Sequence, residues 1–279
     1  MREISVNRIR DEIEEMFIEA NFHLPEDQIM ALTEALKAED SDIGREVIEL
    51  LLKNAEIARL EKIPICQDTG IATVFLEIGQ DVHFVDGSLE DAIYEGVRRA
   101  YKHGYLRGSC CDPMTRTNTG DNTPPIIHER IVLGDKVKII AFPKGGGSEN
   151  YSEVRVFTPA DGIEGVKSFV VEMVAKGGPN PCPPITIGIG IGGNLESAPL
   201  LAKEALLISY GKRNPDLFLA KLEIEILTEV NKLGIGPQGY GGRITALDVH
   251  IKAMPCHIAS FPVAVAIQCH AHRFKEKII

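Results

Sequence analysis

The chain reads as an α/β protein of mixed α+β type, with an N-terminal helical bundle packed on a mixed β-sheet and flanking helices. Two observations predict this class. Apolar residues recur at three- and four-residue steps over the first 60 positions. From residue 61 onward, runs rich in β-branched residues are punctuated by glycine and alternate with helical stretches. At 279 residues, 44% hydrophobic and 25% charged, the chain can enclose a sizeable core and has an ordinary globular composition. No linker, internal repeat or low-complexity tract interrupts it. The expected organisation is therefore one domain over 1–279, with a helical subregion at 1–60 and a mixed-sheet region at 61–279.

In order, Val6, Ile9, Ile13, Phe17 and Ala20 mark a first helix. Pro25 suits the first turn of a second, with the stripe Ile29, Leu32 and Leu36, and Ser41 can cap a third carrying Ile43, Val47, Leu50, Leu51 and Ile57. Pro64 ends that run. Ile71 to Ile78 reads as a strand, and Asp86-Gly87 as a turn. Ser88 with Asp91 starts a helix ending near His103-Gly104. Residues 105–125 have no periodicity, yet their Asx and Thr turn chemistry predicts an ordered, functional loop. Glu129–Leu133 and Lys136–Phe142, on either side of Gly134-Asp135, predict a hairpin. Val154–Phe157 is a short strand, and Ile163–Lys176 a helix closed by Gly177-Gly178. The stretch Ile185–Asn194, alternating isoleucine with glycine, reads as a strand running into a glycine turn. Helices follow over about Ala198–Ser209 and Asp216–Leu233, then a glycine-rich turn and strands at Arg243–Lys252 and Phe261–Gln268.

A net charge of −10 argues against a duplex nucleic-acid binder. No apolar run is long enough to span a bilayer, and Met1-Arg2-Glu3-Ile4 begins no signal peptide, so a cytoplasmic location with reduced thiols is expected. Six scattered cysteines form no small disulfide framework. Cys66 precedes one strand, Cys182 precedes another and Cys269 follows a third, each beside polar residues or proline. Loops at strand ends are where sites are assembled. Prolines on both sides hold Cys182 stiffly, and the glycines that follow let a backbone or a bulky ligand approach. Cys256-His257 marks another candidate ligand loop, while Cys110-Cys111 is a poor chelating pair. No CxxC is present, which leaves zinc-ribbon, thioredoxin and bacterial ferredoxin patterns unsupported. Spacing alone leaves metal ligation and structural thiols both open. Gly145-Gly146-Gly147-Ser148 could offer N–H groups to an anion or be a plain turn. Arg107 and Arg116 are candidate carboxylate clamps, and His257, His270 and His272 candidate acids or bases.

Four stretches together resemble the class I fumarate hydratase and tartrate dehydratase family: Ile63-Pro64-Ile65-Cys66-Gln67-Asp68-Thr69-Gly70, Arg116-Thr117-Asn118-Thr119-Gly120-Asp121-Asn122-Thr123-Pro124, Lys144-Gly145-Gly146-Gly147-Ser148-Glu149-Asn150, and Cys182-Pro183-Pro184-Ile185-Thr186-Ile187-Gly188-Ile189-Gly190. The match covers the whole chain and corresponds to the cluster-binding α subunit of two-subunit members. The resemblance implies a [4Fe–4S] cluster on Cys66, Cys182 and Cys269, with one open iron acting as a Lewis acid. It implies substrate contacts from Gln67, Asp68, Arg107 and the backbone at Gly146, and a catalytic His257 near the substrate hydroxyl. Cys110, Cys111 and Cys256 receive no role. Single-chain members carry a further C-terminal domain that supplies the proton-abstracting residue. This chain stops at Ile279, so a separate β subunit and an α2β2 assembly are expected. The implied reaction is hydration of fumarate to L-malate, with L-tartrate dehydration as the runner-up. A non-catalytic iron–sulfur sensor is the alternative of another class, and a zinc module a weaker one.

Overall fold

In the computed structural model, which describes residues 1–279, the chain forms two compact units. The first comprises Met1–Pro25, Asn54–Gly146 and Arg273–Ile279, and the second Glu26–Lys53 and Gly147–His272. The elements begin with β1 (Arg2–Ser5), α1 (Val6–Phe22), α2 (Glu26–Ala38), α3 (Asp42–Glu61), β2 (Ile71–Gly79), β3 (Val82–Val85) and α4 (Leu89–His103). They continue with β4 (Ile126–Val132), β5 (Val137–Lys144), α5 (Gly146–Glu149), β6 (Glu153–Phe157), α6 (Gly162–Gly177) and β7 (Ile185–Gly193). The last are α7 (Ser197–Ala205), α8 (Leu217–Asn231), β8 (Ala246–Cys256), β9 (Phe261–Gln268) and β10 (Lys275–Ile278). Helices and mixed sheets together give the α/β class read from the sequence.

The three N-terminal helices do not form a single bundle. In the first unit α1 packs on α4 and β5, burying Ile9, Ile13 and Phe17. In the second unit Ala35 of α2 and Ile48 of α3 share a small cluster with Ile244. The stripe of α1 and the stripes of α2 and α3 are thus buried in two different cores, which periodicity alone cannot assign. The two capping signals hold: Ser88 accepts from the Asp91 N–H, and the Ser41 hydroxyl accepts from the Gly44 N–H. Asp216 adds a cap to α8.

The first unit's main sheet has the order β10-β5-β2-β4, with β2 antiparallel to β5 and parallel to β4. The hairpin expected of β4 and β5 is therefore absent. β2 lies between them, and the turn at Gly134-Asp135 passes across the end of β2. There the Asp81 N–H donates to the Gly134 carbonyl at 3.0 Å, and the Gly79 N–H to the Lys136 carbonyl at 2.8 Å. The physical reason is the burial of β2. Ala72 to Leu76 are all buried, and a strand so enclosed needs hydrogen-bonding partners on both sides.

The second unit repeats this plan. Its sheet runs β6-β9-β7-β8, with β7 antiparallel to β9 and parallel to β8, and β8 and β9 are likewise parted by the strand between them. One sheet face buries Ile187, Ile189, Val249, Ile251, Val263 and Val265 against Phe169, Val170, Leu222 and Ile226 of α6 and α8. The other face of β7 carries Gly188 and Gly190, and α7 lies directly on them. A Cβ at Gly188 would stand 2.1 Å from the Ala202 carbonyl oxygen, and one at Gly190 2.0 Å from that of Ala198. The approaching partner is thus a helix backbone, and the isoleucine–glycine alternation encodes one deep face and one flat face.

Gly190→Ala should accordingly lower unfolding stability by about 3 kcal/mol through overpacking against α7. Urea unfolding measures this, and an unchanged midpoint would show that α7 is not seated on β7.

Candidate functional site

The loops that carry the candidate residues are placed by strand register. In the first unit Ile71 of β2 lies opposite Lys144 of β5, so the loop entering β2 runs beside the loop leaving β5. In the second unit Thr186 of β7 lies opposite Gln268 of β9, so the loop entering β7 runs beside the residues leaving β9. Cys66 lies in the first of these entering loops and Cys182 in the second. Cys269 is the first residue after β9. None of the six cysteines is in a disulfide.

In the first unit the turn Cys66–Gly70 is held by its own polar atoms. The Asp68 N–H points to the Cys66 sulfur at 3.4 Å, and Asp68 Oδ1 accepts from the Gly70 N–H at 3.1 Å. The buried guanidinium of Arg273 donates to the Asp68 carbonyl. A Cβ at Gly145 would stand 3.0 Å from Asp68 Oδ2, and one at Gly146 3.9 Å, so this carboxylate lies against the glycine turn leaving β5. The Thr69 hydroxyl donates to the Arg107 carbonyl at 2.6 Å, fixing that backbone while the Arg107 side chain stays exposed. Asn122, fully buried, joins both loops. Its Oδ1 accepts from the N–H groups of Ser109 (2.6 Å) and Cys110 (3.0 Å), and its Nδ2 donates to the Gly70 carbonyl (3.2 Å). The Tyr101 hydroxyl reaches the carbonyls of Thr69 and Gly70 at 2.8 Å, and burial pushes its phenol far above the ordinary range, so it remains a donor. Cys66, Gln67, Asp68, Arg107 and Gly146 thus share one end of this unit's sheet.

In the second unit the His270 N–H donates to the Cys182 carbonyl at 3.1 Å, tying the Cys182 and Cys269 loops together. Cys182 is exposed and sits at φ 56°, an uncommon conformation for a residue with a side chain. Its N–H donates to the Pro179 carbonyl at 3.0 Å. The neighbouring Pro183 carbonyl takes two donors from Gln238, its N–H at 2.7 Å and its Nε2 at 2.6 Å. Gln238 belongs to the glycine-rich turn, and that turn is anchored by Glu39. Glu39 Oε1 accepts N–H groups from Asp40, Ser41 and Arg243 at 3.0, 2.9 and 2.8 Å, and Oε2 accepts from Ile244 at 2.8 Å. Burial pushes this carboxyl up, but the four N–H donors outweigh it and hold it below the usual range.

The structure does not bring His257 to this end. His257 lies exposed in the turn before β9, and the eight residues of β9 separate it from Cys269, roughly 25 Å at strand rise. Met254–Cys256, expected in a ligand loop, form the exposed end of β8. Cys110 is buried, and burial raises its thiol above the ordinary value. His272 is buried with Nε2 donating to the Leu206 carbonyl at 2.7 Å, a structural role. The positioning residues Thr69, Asn122, Gln238, Glu39 and Arg273 escaped the sequence reading. The turn-rich composition around Asn122 marked the loop, and nothing marked its target.

Glu39 gives a pH prediction. Its folded pKa lies below its unfolded one, so its stabilisation is complete above about pH 4.5 and is lost as pH falls through the folded value. Glu39→Gln should cost about 2 kcal/mol near neutrality. That gap should close in acid unfolding curves below pH 4, and a gap independent of pH would remove the carboxylate from this role.

The chain matches the family model for fumarate hydratase (Fumerase) over residues 10–277. It is 46% identical over 272 residues to a Methanocaldococcus jannaschii protein named "Putative L(+)-tartrate dehydratase subunit alpha", covering 95% of each chain. It is 31% identical over 273 residues to the L(+)-tartrate dehydratase subunit alpha of Escherichia coli K12, covering 96% of this chain and 90% of that one. With a match of this extent, the chain belongs to the fumarate hydratase family of hydro-lyases.

Proposed function

We propose that this chain is the α subunit of a hydro-lyase acting across C2–C3 of a four-carbon dicarboxylate, with a [4Fe–4S] cluster on Cys66, Cys182 and Cys269. A β subunit completes the active site, in an α2β2 assembly. The observation that carries this reading is the β7–β9 register, which runs the loop holding Cys182 beside the residues leaving β9, where the His270 N–H, next to Cys269, donates to the Cys182 carbonyl. The donor chemistry fits such a group. The thiols are in no disulfide, and the N–H directed at the Cys66 sulfur is the kind of contact that stabilises thiolate charge in clusters. Three thiolates for four irons leave one iron open, a Lewis acid for a substrate hydroxyl and carboxylate without redox change.

The chain's own residues bind and orient. Arg107 offers a bidentate fork to a substrate carboxylate from a backbone fixed by Thr69. Gln67 and the Gly146 N–H add neutral donors, and Asp68 offers an acceptor for a substrate hydroxyl. His257 stands a strand length from Cys269, so a part for it in the reaction is played at the site of a second copy. Abstraction of the C3 proton falls to the β subunit.

Fumarate–malate interconversion is the leading reaction, in keeping with the matched family's description. Dehydration of L-tartrate to oxaloacetate is the second, favoured by the names of the M. jannaschii and E. coli relatives. Anaerobic reconstitution followed by EPR of the reduced protein tests the cluster, with malate and tartrate added in the presence of the β subunit. Iron and sulfide, with a spectrum that responds to one of these substrates, are expected. Zinc without iron, or reversible reduction with no substrate response, would overturn the proposal, as would hydratase activity from the α chain alone. Cys182→Ser should lose the cluster while Cys256→Ser keeps it, read by iron content. In the α–β complex Arg107→Lys should raise KM about tenfold or more, because a point charge replaces the fork. An unchanged KM would remove Arg107 from the carboxylate.

A further inference from the structure

α3 carries two apolar faces, and only one of them is used by its own chain. Ile48 is fully buried with Ala35 and Ile244, and Leu52 packs against the same cluster. A second stripe along this uninterrupted 20-residue helix faces solvent: Ile43 is 55% exposed, Leu50 58% and Ile57 42%, with Val47 half-buried between them. Three large aliphatic residues on one exposed helical ridge exceed what scattered surface hydrophobics explain.

The spacing of the stripe says what covers it. Ile43, Leu50 and Ile57 recur at seven-residue intervals, so the pattern reads the same in both directions from Leu50. A stripe with that symmetry is complementary to itself when two helices pack antiparallel about a two-fold axis through Leu50. Ile43 then meets the partner's Ile57, and Leu50 meets its own counterpart. The ridge is about 21 Å long at helical rise, and the two axes would lie about 8–10 Å apart.

The charges flanking the stripe follow the same symmetry. Glu46 and Lys53 lie on one side of the ridge, both exposed, at nearly equal distances before and after Leu50. Neither pairs with a side chain of its own chain. An antiparallel two-fold keeps that flank on one side of the contact. It sets Glu46 beside the partner's Lys53, and Lys53 beside the partner's Glu46.

We propose that the exposed stripe of α3 is a two-fold interface with a second copy of this chain. The contact needs neither cluster nor substrate. Charge reversal tests it, with sedimentation of the full-length chain as the readout and far-UV circular dichroism as the fold control. The wild-type chain should dimerise. E46K and K53E should each weaken the dimer about tenfold, since two ion pairs become two repulsions. The double variant E46K/K53E restores opposite charges across the axis and should return to within about threefold of wild type. L50D, which brings two carboxylates together on the axis, should give a folded monomer. A photocrosslinker at position 50 in the complex with the β subunit should capture a second α chain. A monomeric wild-type chain, single and double reversals of equal effect, or capture of the β subunit at position 50 would each overturn the proposal.

Discussion

The structure depends on one constraint: each of the two four-stranded sheets has an inner strand too enclosed to leave either hydrogen-bonding edge unpaired. β2 and β7 are buried along most of their length, and each acquires a parallel neighbour on one side and an antiparallel one on the other. The crossover to the parallel neighbour carries helices in both units, as such connections usually do. The chain then turns back past the end of the central strand to pair on its other side. The loop entering the central strand is thereby forced against the residues leaving its antiparallel neighbour. Cys66 with Gly145, and Cys182 with Cys269, occupy these two equivalent corners.

The same plan in both units went unseen as a repeat for a physical reason. The fourth strand comes from the C-terminal end of the chain in one sheet (β10) and from ahead of the central strand in the other (β6). The crossovers also differ, a short strand and α4 in one and α7 with α8 in the other. Pairing geometry fixes which corners adjoin, and it places few demands on side-chain identity beyond burial. Two sequences can meet it with no shared pattern.

Local signals were legible, and partnerships were not. Ser88 and Ser41 marked helix starts because capping is satisfied within one turn of chain. β9 was read at its full bounds because its apolar run is closed by polar residues. The apparent hairpin at Gly134-Asp135 failed because turn chemistry specifies the reversal of direction and not whether a third strand enters between its arms. β1, β3 and β10, four residues each, were too short to register. At the site, the residues that present chemistry could be picked by type. Those that hold them, Asn122 and Glu39 above all, are distant buried polar groups whose targets are backbone atoms, and a backbone atom has no signature in sequence.

That difference changes what the glycine-alternating strand after Cys182 means. The space at Gly188 and Gly190 is occupied by α7 at distances no side chain tolerates, so these glycines provide no space for a cofactor. They draw a helix backbone onto β7 and so fix the strand on which Cys182 is mounted. The stiffness of the thiol comes from elsewhere: Gln238 on the Pro183 carbonyl, His270 on the Cys182 carbonyl, and a turn anchored by an ionised Glu39. Hydrogen bonds of this kind fix a loop's position through direction as well as distance, which apolar packing does not. For the proposed cluster, thiolates held at a set separation are better served by a flat, close-packed strand beneath and a polar clamp above than by a cavity.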